Sequence, residues 1–543
     1  MRNENVTQEK NPSKIAFIVR TGARLEVQLQ YLACLRVPDG MTAEVVTVDG
    51  TDAEVAALYN EAQAASAARY KVYLAPDAVI LHETFLADVL AVFRAAPDIG
   101  IVGMFGARQL RTDGVFDHAL GLVGRAVVHE EGTVRGKDIV EAYEVVQVLG
   151  GGVIATQVDV PWPEGQFEGT SCLAMATSIE YRRAGYRAAV PQQADDWMIC
   201  GALHPVTDVD ERDRQAFLDA YSRDLYPLVS VVIPTYQRPA YFREALASVV
   251  HQTYRNLDIF VTDNSHNDET RRVYETEFAD DPRITYEHHP DFDADGNWGR
   301  ALAYDSPAAT YVNWLMDDDY FLPEKIARMM DCYFEASGIT LVTSVLKWID
   351  GDGNDLPKAD WMRPLVSKLS RLDGRSVGQD MLRNMTNYIG EPTTVLIKKS
   401  AMNHHRLGWS GKEGKYLISD FPTWLCLLSK GDCVYFPEPL STFRFHEGQQ
   451  QEGLFSKFAS HICWALQIRE AIQRNIFLTS REARQKAMLC WLERTSGWLR
   501  KLPEEALEHP AMADVCTIFR SMVAALPEAD TLDFTVDTEW GKG

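Results

Sequence analysis

The sequence predicts an α/β protein built from two consecutive units and a helical C-terminal region. Short apolar runs alternate with amphipathic helical patterns from Lys14 onward, and the alternation starts again after Pro227, as in strand–helix units stacked around a sheet. Beyond residue 450 the strand pattern stops and two long helical patterns follow. With 543 residues, and roughly 150 residues in a typical domain, the chain is long enough for all three regions.

Composition excludes several functional classes. Hydrophobic residues make up 46% of the chain and charged residues 24%, which are values of a globular protein. The 54 Lys and Arg against 77 Asp and Glu give a net charge of −23. Nucleic acid is therefore excluded as a partner over a broad surface, because neutralising phosphates requires an excess of Lys and Arg.

The cysteines and the apolar runs bear on location. Nine cysteines without CxxC spacing argue against a disulfide framework or a structural zinc site and favour a reducing compartment. No apolar run approaches the roughly 18 residues of a membrane span. We therefore expect a cytoplasmic protein. A peripheral contact at the inner face of the plasma membrane stays open, because Trp464, Trp491 and Trp498 lie near basic residues, although such tryptophans are more often core.

Each region has its own elements. A polar tail is predicted at 1–13, the first unit at 14–206, a charged helical linker at 207–227, the second unit at 228–450 and the helical region at 451–543. Strands of the first unit are predicted at KIAFIVR, AEVVTVD, YKVYLAP, IGIVGMF and EVVQVLGGGVIAT, and strands of the second at LVSVVIP, LDIFVTD, YVNWLMD and ITLVTSVL. In the first helix of the second unit, the apolar residues Phe242, Ala245, Leu246, Val249 and Val250 follow helical spacing, which predicts one face on a sheet.

The two units resemble each other in sequence. Residues 70–93 align without a gap on 311–334, with Asp77 opposite Asp318, which indicates an old duplication. The first unit has one aspartate in this segment, whereas the second has three in a row at 317–319. If the chemistry requires several carboxylates, only the second unit has them.

The aspartate triplet follows an apolar strand, at the end of the sheet where α/β proteins bind ligands. Adjacent carboxylates repel each other by roughly 1–4 kcal/mol per pair, and a divalent cation removes that repulsion. Carboxylates suit Mg²⁺ or Mn²⁺, which complete their coordination with water and phosphate oxygens. The alternative is a solvated acidic turn in which Asp319 or Glu324 supports the next helix.

A second cluster of candidate residues follows two neighbouring strands. VVIPTYQRP at 231–239 ends one strand, and IFVTDNS at 259–265 ends the next. Tyr236 is placed to stack on a base and Asp263 to accept its imide proton. The alternatives are a core tyrosine and a turn-forming aspartate.

Together, VSVVIPTYQRP, VTDNSHNDET, GNWGRAL and NWLMDDDYFLPEK resemble glycosyltransferase family 2 with the GT-A fold, over about 228–450. This resemblance implies a nucleotide-sugar donor, a metal-assisted diphosphate leaving group and inversion at the anomeric carbon. The implied nucleotide-sugar contacts are Pro234, Tyr236, Arg238, Asp263, Arg300, Asp317 and Glu391. Arg444 is a further candidate for the phosphates. The alternative for Arg300 and Arg444 is to pair with surface carboxylates.

The resemblance also implies a cation site for Mn²⁺ or Mg²⁺ with Asp318, Asp319 and His446 as ligands. Asp318 is its expected direct ligand. Met316 stands where the family often has the first aspartate of its motif. Which of the three carboxylates faces the ribose and which the metal therefore stays open.

The expected catalytic base is Asp420, which precedes a helical pattern at the position of the family's base. An inverting transfer requires one carboxylate to take the proton of the acceptor hydroxyl, a contribution of about 10²–10⁴-fold. The alternative function of Asp420 is to cap that helix, since Asp is a preferred N-cap residue.

The first unit resembles a degenerate GT-A-like domain of the streptomycin-biosynthesis type, through LYNEAQ, VYLAPDAVIL, VDVPWPEGQFEG and SIEYRRAGYRAAVP. Ala174 stands near the place of that pattern's aspartate, and its later histidine is replaced around Cys200. The first unit is therefore expected not to catalyse and to act as a scaffold, a dimerisation surface or an acceptor-binding domain.

These expectations combine into a metal-dependent inverting glycosyltransferase of bacterial surface polysaccharide or glycoconjugate synthesis. Its partners would be a nucleoside-diphosphate sugar, with UDP favoured, and a saccharide, lipid-linked saccharide or protein acceptor; homo-oligomers are compatible with the sequence. One alternative is a non-catalytic scaffold that binds a nucleotide sugar or carbohydrate. Another is a nucleotidyltransferase, for which the Gly-rich phosphate loop is missing at VVIPTYQRP.

Overall fold

The protein is described by a computed structural model that covers residues 10–128, 132–201, 210–357, 364–402, 420–446 and 454–536. The chain divides into two compact units, Met1–Tyr226 (unit 1) and Pro227–Gly543 (unit 2).

Unit 1 combines many strands with five α-helices among its described residues. The strands are β1 (Asn11–Arg20), β2 (Thr42–Val48), β3 (Ala68–Leu74), β4 (Val79–Ile80), β5 (Ile99–Gly103), β6 (Phe105–Gln109), β7 (Leu120–Val128), β8 (Gly132–Arg135), β9 (Tyr143–Val146), β10 (Val148–Leu149), β11 (Val153–Thr156), β12 (Arg187–Pro191) and β13 (Met198–Cys200). The helices are α1 (Leu25–Cys34), α2 (Val55–Ala65), α3 (Phe85–Ala95), α4 (Leu173–Arg183) and α5 (Asp210–Leu225).

The main sheet of unit 1 has the strand order β2-β1-β3-β11-β5-β12-β9, and a second sheet has the order β10-β6-β7-β13-β4 with β8 beside β7. In the main sheet β2, β1 and β3 are parallel, and β11 pairs antiparallel with both β3 and β5. The segment Ile15–Val19 of β1 is almost completely buried, since strands covered on both faces are continuously apolar.

Unit 2 contains the remaining elements in the described ranges. Its strands are β14 (Val229–Thr235), β15 (Leu257–Asp263), β16 (Ile284–His288), β17 (Tyr311–Trp314), β18 (Ile339–Ile349), β19 (Ser370–Leu372), β20 (Leu396–Lys398) and β21 (Asp432–Arg444). Its helices are α6 (Pro239–Val250), α7 (Glu269–Glu277), α8 (Ala294–Ala303), α9 (Lys325–Glu335), α10 (Gly374–Asn384), α11 (Asp420–Leu428), α12 (Leu454–Arg474), α13 (Arg481–Leu499) and α14 (Ala511–Ala525).

The sheet of unit 2 has the order β16-β15-β14-β17-β20-β18-β21-β19. Strands β16, β15, β14 and β17 are parallel, and β20 pairs antiparallel with both β17 and β18. Strand β21 is parallel to β18 and antiparallel to β19. In sheet order, the strand pairs from β15 through β19 have the same parallel or antiparallel directions as those from β2 through β9 in the main sheet of unit 1. The internal sequence repeat predicts this match.

The predicted fold class, two tandem α/β units with helices toward the C-terminus, is confirmed. In α6 the residues Phe242, Ala245, Leu246 and Val249 are all fully buried. Two differences concern boundaries. Strand β1 already begins at Asn11, within the expected polar tail, and residues 210–225 of the expected linker form α5, which belongs to unit 1.

The C-terminal helices share the hydrophobic core of unit 2. Trp424 of α11, Phe458 of α12, Trp491 of α13 and Val515 of α14 belong to one buried cluster with residues of the sheet. The indole of Trp491 is fully buried and donates a hydrogen bond to the carbonyl of His461 at 2.7 Å. Within the described ranges, no helix is both long enough and apolar enough to cross a membrane.

Candidate functional site

The carboxyl end of β17 carries the three adjacent aspartates. The first, Asp317, is 7% exposed and accepts hydrogen bonds from the Thr235 hydroxyl at 2.9 Å and from the Tyr236 N–H at 3.2 Å. Burial raises the pKa of Asp317 to about 6, and the charge of Asp318 adds to that effect. Strand β17 therefore delivers this carboxylate against the end of β14, as parallel neighbours in a sheet do.

The second aspartate lies between Arg238 and His446. Oδ2 of Asp318 is 3.1 Å from a guanidinium nitrogen of Arg238 and 3.0 Å from Nε2 of His446. The same nitrogen of Arg238 is 3.2 Å from Oδ1 of Asp317. Arg238 thus bridges the carboxylates of Asp317 and Asp318. Arg238 and His446, which are far apart in sequence, meet at Asp318.

The third aspartate has different hydrogen-bond partners. Asp319 is 3% exposed and accepts a hydrogen bond from the Thr393 hydroxyl at 2.7 Å and another from the Arg444 N–H at 3.0 Å. Burial raises the pKa of Asp319 well above its ordinary value, and the charge of Asp318 contributes. Each oxygen of Asp319 accepts one hydrogen bond from the protein, and the role of Asp319 as a metal ligand stays a prediction.

Arg444 at the end of β21 holds the backbone of this cluster and is only 1% exposed. Its guanidinium donates to the carbonyl of Asp318 at 2.7 Å and to that of Gly351 at 3.0 Å, and it pairs with Glu244. It also lies 4.6 Å from the ring centre of Tyr241. These contacts hold Arg444 against the backbone of the triplet, and its predicted contact with phosphate stays a prediction.

The two residues predicted to bind the base, Tyr236 and Asp263, differ in their exposure. Tyr236 is 44% exposed and touches the ring of His266 edge-on, with ring centres 5.6 Å apart, so its face is accessible. Asp263 is fully buried and accepts hydrogen bonds from the Ser265 N–H and the Tyr286 hydroxyl. A base could pair with Asp263 only after displacing one of these donors, and its nucleoside contact stays a prediction.

Three other predicted donor contacts lie around this edge of the sheet. Pro234 is the penultimate residue of β14 and pairs with Thr262 of β15. Glu391 lies close enough for its charge to raise the pKa of Asp319. Arg300 of α8 instead forms a bidentate pair with Glu287, at 2.7 and 2.8 Å. The predicted contact of Arg300 with the donor stays a prediction.

Asp420 is the first residue of α11 and follows residues 403–419, which lie outside the described ranges. Its Oδ1 is buried and has no hydrogen-bond partner in the described part of the chain. Burial raises the pKa of Asp420 to about 6, opposed by the N–H groups of Phe421 and Asp420 itself. A carboxylate with a pKa near neutrality and an uncommitted oxygen is suited to take a proton.

The described residues supply only part of the coordination shell of a divalent cation. Asp318 and His446 supply one oxygen and one nitrogen donor 3.0 Å apart, a set that Mn²⁺ accepts. Across the described ranges, no group of three or more His, Cys, Asp or Glu side chains forms a metal-binding cluster. Since Mg²⁺ and Mn²⁺ usually keep waters and bind substrate phosphates, a two-residue protein contribution remains compatible with such an ion.

Several residues of the site were not found from sequence. The hydroxyls of Thr235 and Thr393 hold two of the aspartates, and Tyr286 holds Asp263. Buried Lys325 donates to Asn313 of β17 at 2.6 Å and to the Thr394 carbonyl at 3.3 Å, which ties the strand to the segment carrying Thr393. No local pattern marks such residues, because their partners are up to 82 positions away.

Family models match both units of the chain. Residues 230–405 match "Glycosyl transferase family 2", and residues 16–221 match "Glycosyltransferase like family". These two matches confirm the resemblance that the motifs indicate. The matched residues of unit 2 include the aspartate triplet and Arg238 but end before Asp420 and His446.

Curated relatives match over shorter stretches. An uncharacterised glycosyltransferase of Rickettsia conorii is 32% identical over 168 residues, which is 29% of this chain and 27% of the relative. The GalNAc(5)-diNAcBac-PP-undecaprenol beta-1,3-glucosyltransferase of Campylobacter jejuni is 29% identical over 104 residues, 19% of this chain and 34% of that protein. The alignments therefore span about a third or less of these relatives.

Among solved structures, S. aureus TarS residues 1–349 aligns with 14% identity and a TM-score of 0.41, covering 56% of this chain and 83% of that one. The mannosyltransferase PcManGT of Pyrobaculum calidifontis aligns with 14% identity and a TM-score of 0.32, covering 56% and 85%.

Proposed function

We propose that this chain, which belongs to glycosyl transferase family 2 through residues 230–405, transfers a sugar from a nucleoside-diphosphate donor to an acceptor hydroxyl. The observation that carries the proposal is the group formed by Asp317, Asp318, Arg238 and His446 at the carboxyl end of β17. Such a site combines Arg238 with buried carboxylates, and burial raises the pKa of Asp317 to about 6, a combination typical of functional sites.

In the proposed complex, the base stacks on the exposed ring of Tyr236 and the diphosphate approaches Arg238. The guanidinium then exchanges part of its pairing with the aspartates for phosphate oxygens, for which its planar fork is suited. One guanidinium nitrogen of Arg238 is shared between the carboxylates of Asp317 and Asp318. This sharing supports the proposed exchange. Glu391 is the proposed contact for the donor sugar.

A divalent cation, Mn²⁺ or Mg²⁺, would be held by Asp318 and His446, and when bound it supplies positive charge that stabilises the leaving diphosphate. His446 must be neutral to coordinate, so binding is expected to weaken in acid. The protein's own part is to keep Asp318 in place, which Arg444 does through the Asp318 carbonyl.

Asp420 is the proposed base of the transfer. Its carboxylate takes the proton of the acceptor hydroxyl while the acceptor oxygen bonds to the anomeric carbon on the face opposite the diphosphate. The bond from that carbon to the diphosphate oxygen breaks, and its electron pair leaves with the nucleoside diphosphate. Configuration at the anomeric carbon is inverted. The raised pKa of Asp420, about 6, supports this assignment because a base works best near the operating pH.

The acceptor is proposed by analogy only. The Campylobacter relative is named for a lipid-linked saccharide, and a further relative, 26% identical over 132 residues, is the chondroitin synthase of Escherichia coli. We propose a saccharide or lipid-linked saccharide acceptor in bacterial glycoconjugate synthesis, at the cytoplasmic face of the membrane.

The proposal is tested by incubating the full chain with UDP-, dTDP- and GDP-sugars with an acceptor panel and analysing products by mass spectrometry and anomeric NMR. An inverted glycoside from one donor supports it. A retained anomeric configuration would contradict the single-displacement chemistry. Tight donor binding without product from any acceptor would instead favour a binding scaffold.

A further inference from the structure

The start of α6 directs three side chains toward the aspartate triplet. Arg238, Tyr241 and Glu244 follow one another at intervals of three residues, so they lie along one side of the helix. Arg238 contacts two of the aspartates, and Glu244 pairs with Arg444. Tyr241 stands between these two residues on the helix, and the proposed transfer reaction gives it no part.

The ring of Tyr241 lies against two side chains of the site. Its centre is 4.6 Å from the guanidinium carbon of Arg444 and 5.2 Å from the ring centre of His446, to which it is tilted by 50°. Its hydroxyl donates to the carbonyl of Gly351 at 3.2 Å, and Arg444 donates to the same carbonyl at 3.0 Å. The loop after β18 and the end of β21 thus fix the orientation of the phenol.

The imidazole of His446 has contacts in two directions. Its side chain is 11% exposed, and its Nε2 lies 3.0 Å from Oδ2 of Asp318. An imidazole turns readily about its Cβ–Cγ bond, because the preferences of that torsion are broad. The ring of Tyr241 packs against the imidazole and so restricts this rotation. Neighbours that orient a histidine in this way tune its affinity for a metal ion.

We propose that Tyr241 is a positioning residue whose ring keeps the imidazole of His446 turned toward Asp318. The two side chains are then preformed as a pair for a divalent cation. The inference rests on the proposed function, since that function assigns the cation to these two side chains. It places the effect in the ring and not in the hydroxyl, because the Gly351 carbonyl keeps Arg444 as a donor when the hydroxyl is removed.

Chemical modification of the full chain, without metal or donor, tests the position of His446. Diethyl pyrocarbonate reacts with imidazole nitrogens that solvent reaches, and peptide mass spectrometry follows each histidine separately. Tyr241→Leu and Tyr241→Met remove the ring but keep an apolar side chain, whereas Tyr241→Phe keeps the ring. Phe292→Leu is the matched control, because Phe292 stacks on another histidine of unit 2, His289, with ring centres 4.5 Å apart. Thermal unfolding checks the fold of each variant.

His446 should be modified severalfold faster in Tyr241→Leu and Tyr241→Met than in the wild type, because an imidazole that turns freely exposes its nitrogens more often. Its rate in Tyr241→Phe and in Phe292→Leu should match the wild type. Wild-type rates at His446 in both folded variants that lack the ring would overturn the inference. A rise in Tyr241→Phe as large as in Tyr241→Leu would also overturn it, because the ring would then not be the part that acts.

Binding of Mn²⁺, followed by electron paramagnetic resonance of the free ion, tests the consequence for the cation site. Tyr241→Leu should weaken Mn²⁺ binding by about 10–100-fold, the usual effect of removing a residue that orients a metal ligand. In a His446→Ala background the same substitution should have no further effect. An equal loss in both backgrounds would overturn the inference, because Tyr241 would then not act through His446. If the wild type takes up no Mn²⁺ and the modification rates still change as expected, the cation site of the proposed function fails, while the positioning of His446 is supported.

Discussion

Strands β3 of unit 1 and β17 of unit 2 occupy the same place in their sheets and end in different chemistry. Each lies between a parallel and an antiparallel neighbour. After β3 the chain reads Ala-Pro-Asp, and Asp77 is satisfied by a backbone N–H. After β17 it reads Leu-Met-Asp-Asp-Asp, and these aspartates contact Arg238, His446 and the hydroxyls of Thr235 and Thr393. The two units share this strand pairing but differ in the charged side chains that follow the strand, and a shared fold does not by itself imply a shared function.

The difference has an energetic side. Burial raises the pKa of both Asp317 and Asp319, so the ionised cluster weakens the folded state. The corresponding aspartate of unit 1, Asp77, accepts a hydrogen bond from the Gly201 N–H at 2.7 Å. An arrangement that costs stability in only one of two similar units is expected where a ligand relieves it.

The largest expected effect comes from removing the proposed base. Asp420→Asn should lower the turnover of the transfer by about 10²–10⁴-fold, the usual contribution of a general base, while donor affinity is kept. Steady-state kinetics and donor titrations measure the two quantities. Asp355→Asn is the control, because Asp355 is an exposed partner of Lys347. If Asp420 were only a helix cap, Asn would replace it well and turnover would persist.

Asp318→Ala should reduce turnover by about two orders of magnitude or more, since charge stabilisation of the leaving group is worth several kcal/mol. It should also abolish any stimulation by Mn²⁺, and chelation of the wild type should reproduce the loss. Asp305→Ala serves as control because Asp305 pairs with Lys399 at the surface. Unchanged Mn²⁺ stimulation in Asp318→Ala would exclude Asp318 as a ligand.

Arg444→Gln should lower the free energy of unfolding by about 2–4 kcal/mol, because it leaves buried carbonyls without their donor. Arg371 forms a partly exposed ion pair with Asp432, and Arg371→Gln should lower the free energy of unfolding by about 1 kcal/mol or less. Urea unfolding of both variants measures the difference. Equal losses would mean that Arg444 does not hold the triplet.

Asp317→Asn should stabilise the protein at pH 7 by about 1–3 kcal/mol. The folded pKa of Asp317, about 6, lies above its ordinary value of 3.8. The folded state therefore holds the proton more tightly, and stability falls as pH rises from about 4 to 6. The gain of the variant should be absent below pH 4 and complete above pH 6. A gain independent of pH would refute the assignment.

Tyr236→Ala should weaken donor binding by about 1–3 kcal/mol, the value of a base stacked on an aromatic ring, and leave stability nearly unchanged because the ring is half exposed. Calorimetric titration with nucleoside diphosphates measures this loss. A matched loss of folding stability would indicate a packing role instead.

Sequence patterns predicted the fold class, the internal repeat and the burial of α6, because periodicity and apolar runs are local signals. They also placed Asp317, Asp318 and Arg238 in one predicted binding site. They could not identify the hydrogen-bond partners of Asp319 and Arg444, or Glu287 as the partner of Arg300. Such commitments depend on side chains that meet only in three dimensions, as Thr393 does with Asp319.

The central claim, that unit 2 and not unit 1 performs the chemistry, is tested most directly by nucleoside-diphosphate release. UDP-, dTDP- and GDP-sugars are offered with and without Mn²⁺ to the wild type, Asp318→Ala and Asp49→Ala, the last at the end of β2 in unit 1. We predict Mn²⁺-dependent release from one donor, lost in Asp318→Ala and retained in Asp49→Ala. Release that survives in Asp318→Ala but disappears in Asp49→Ala would contradict the claim.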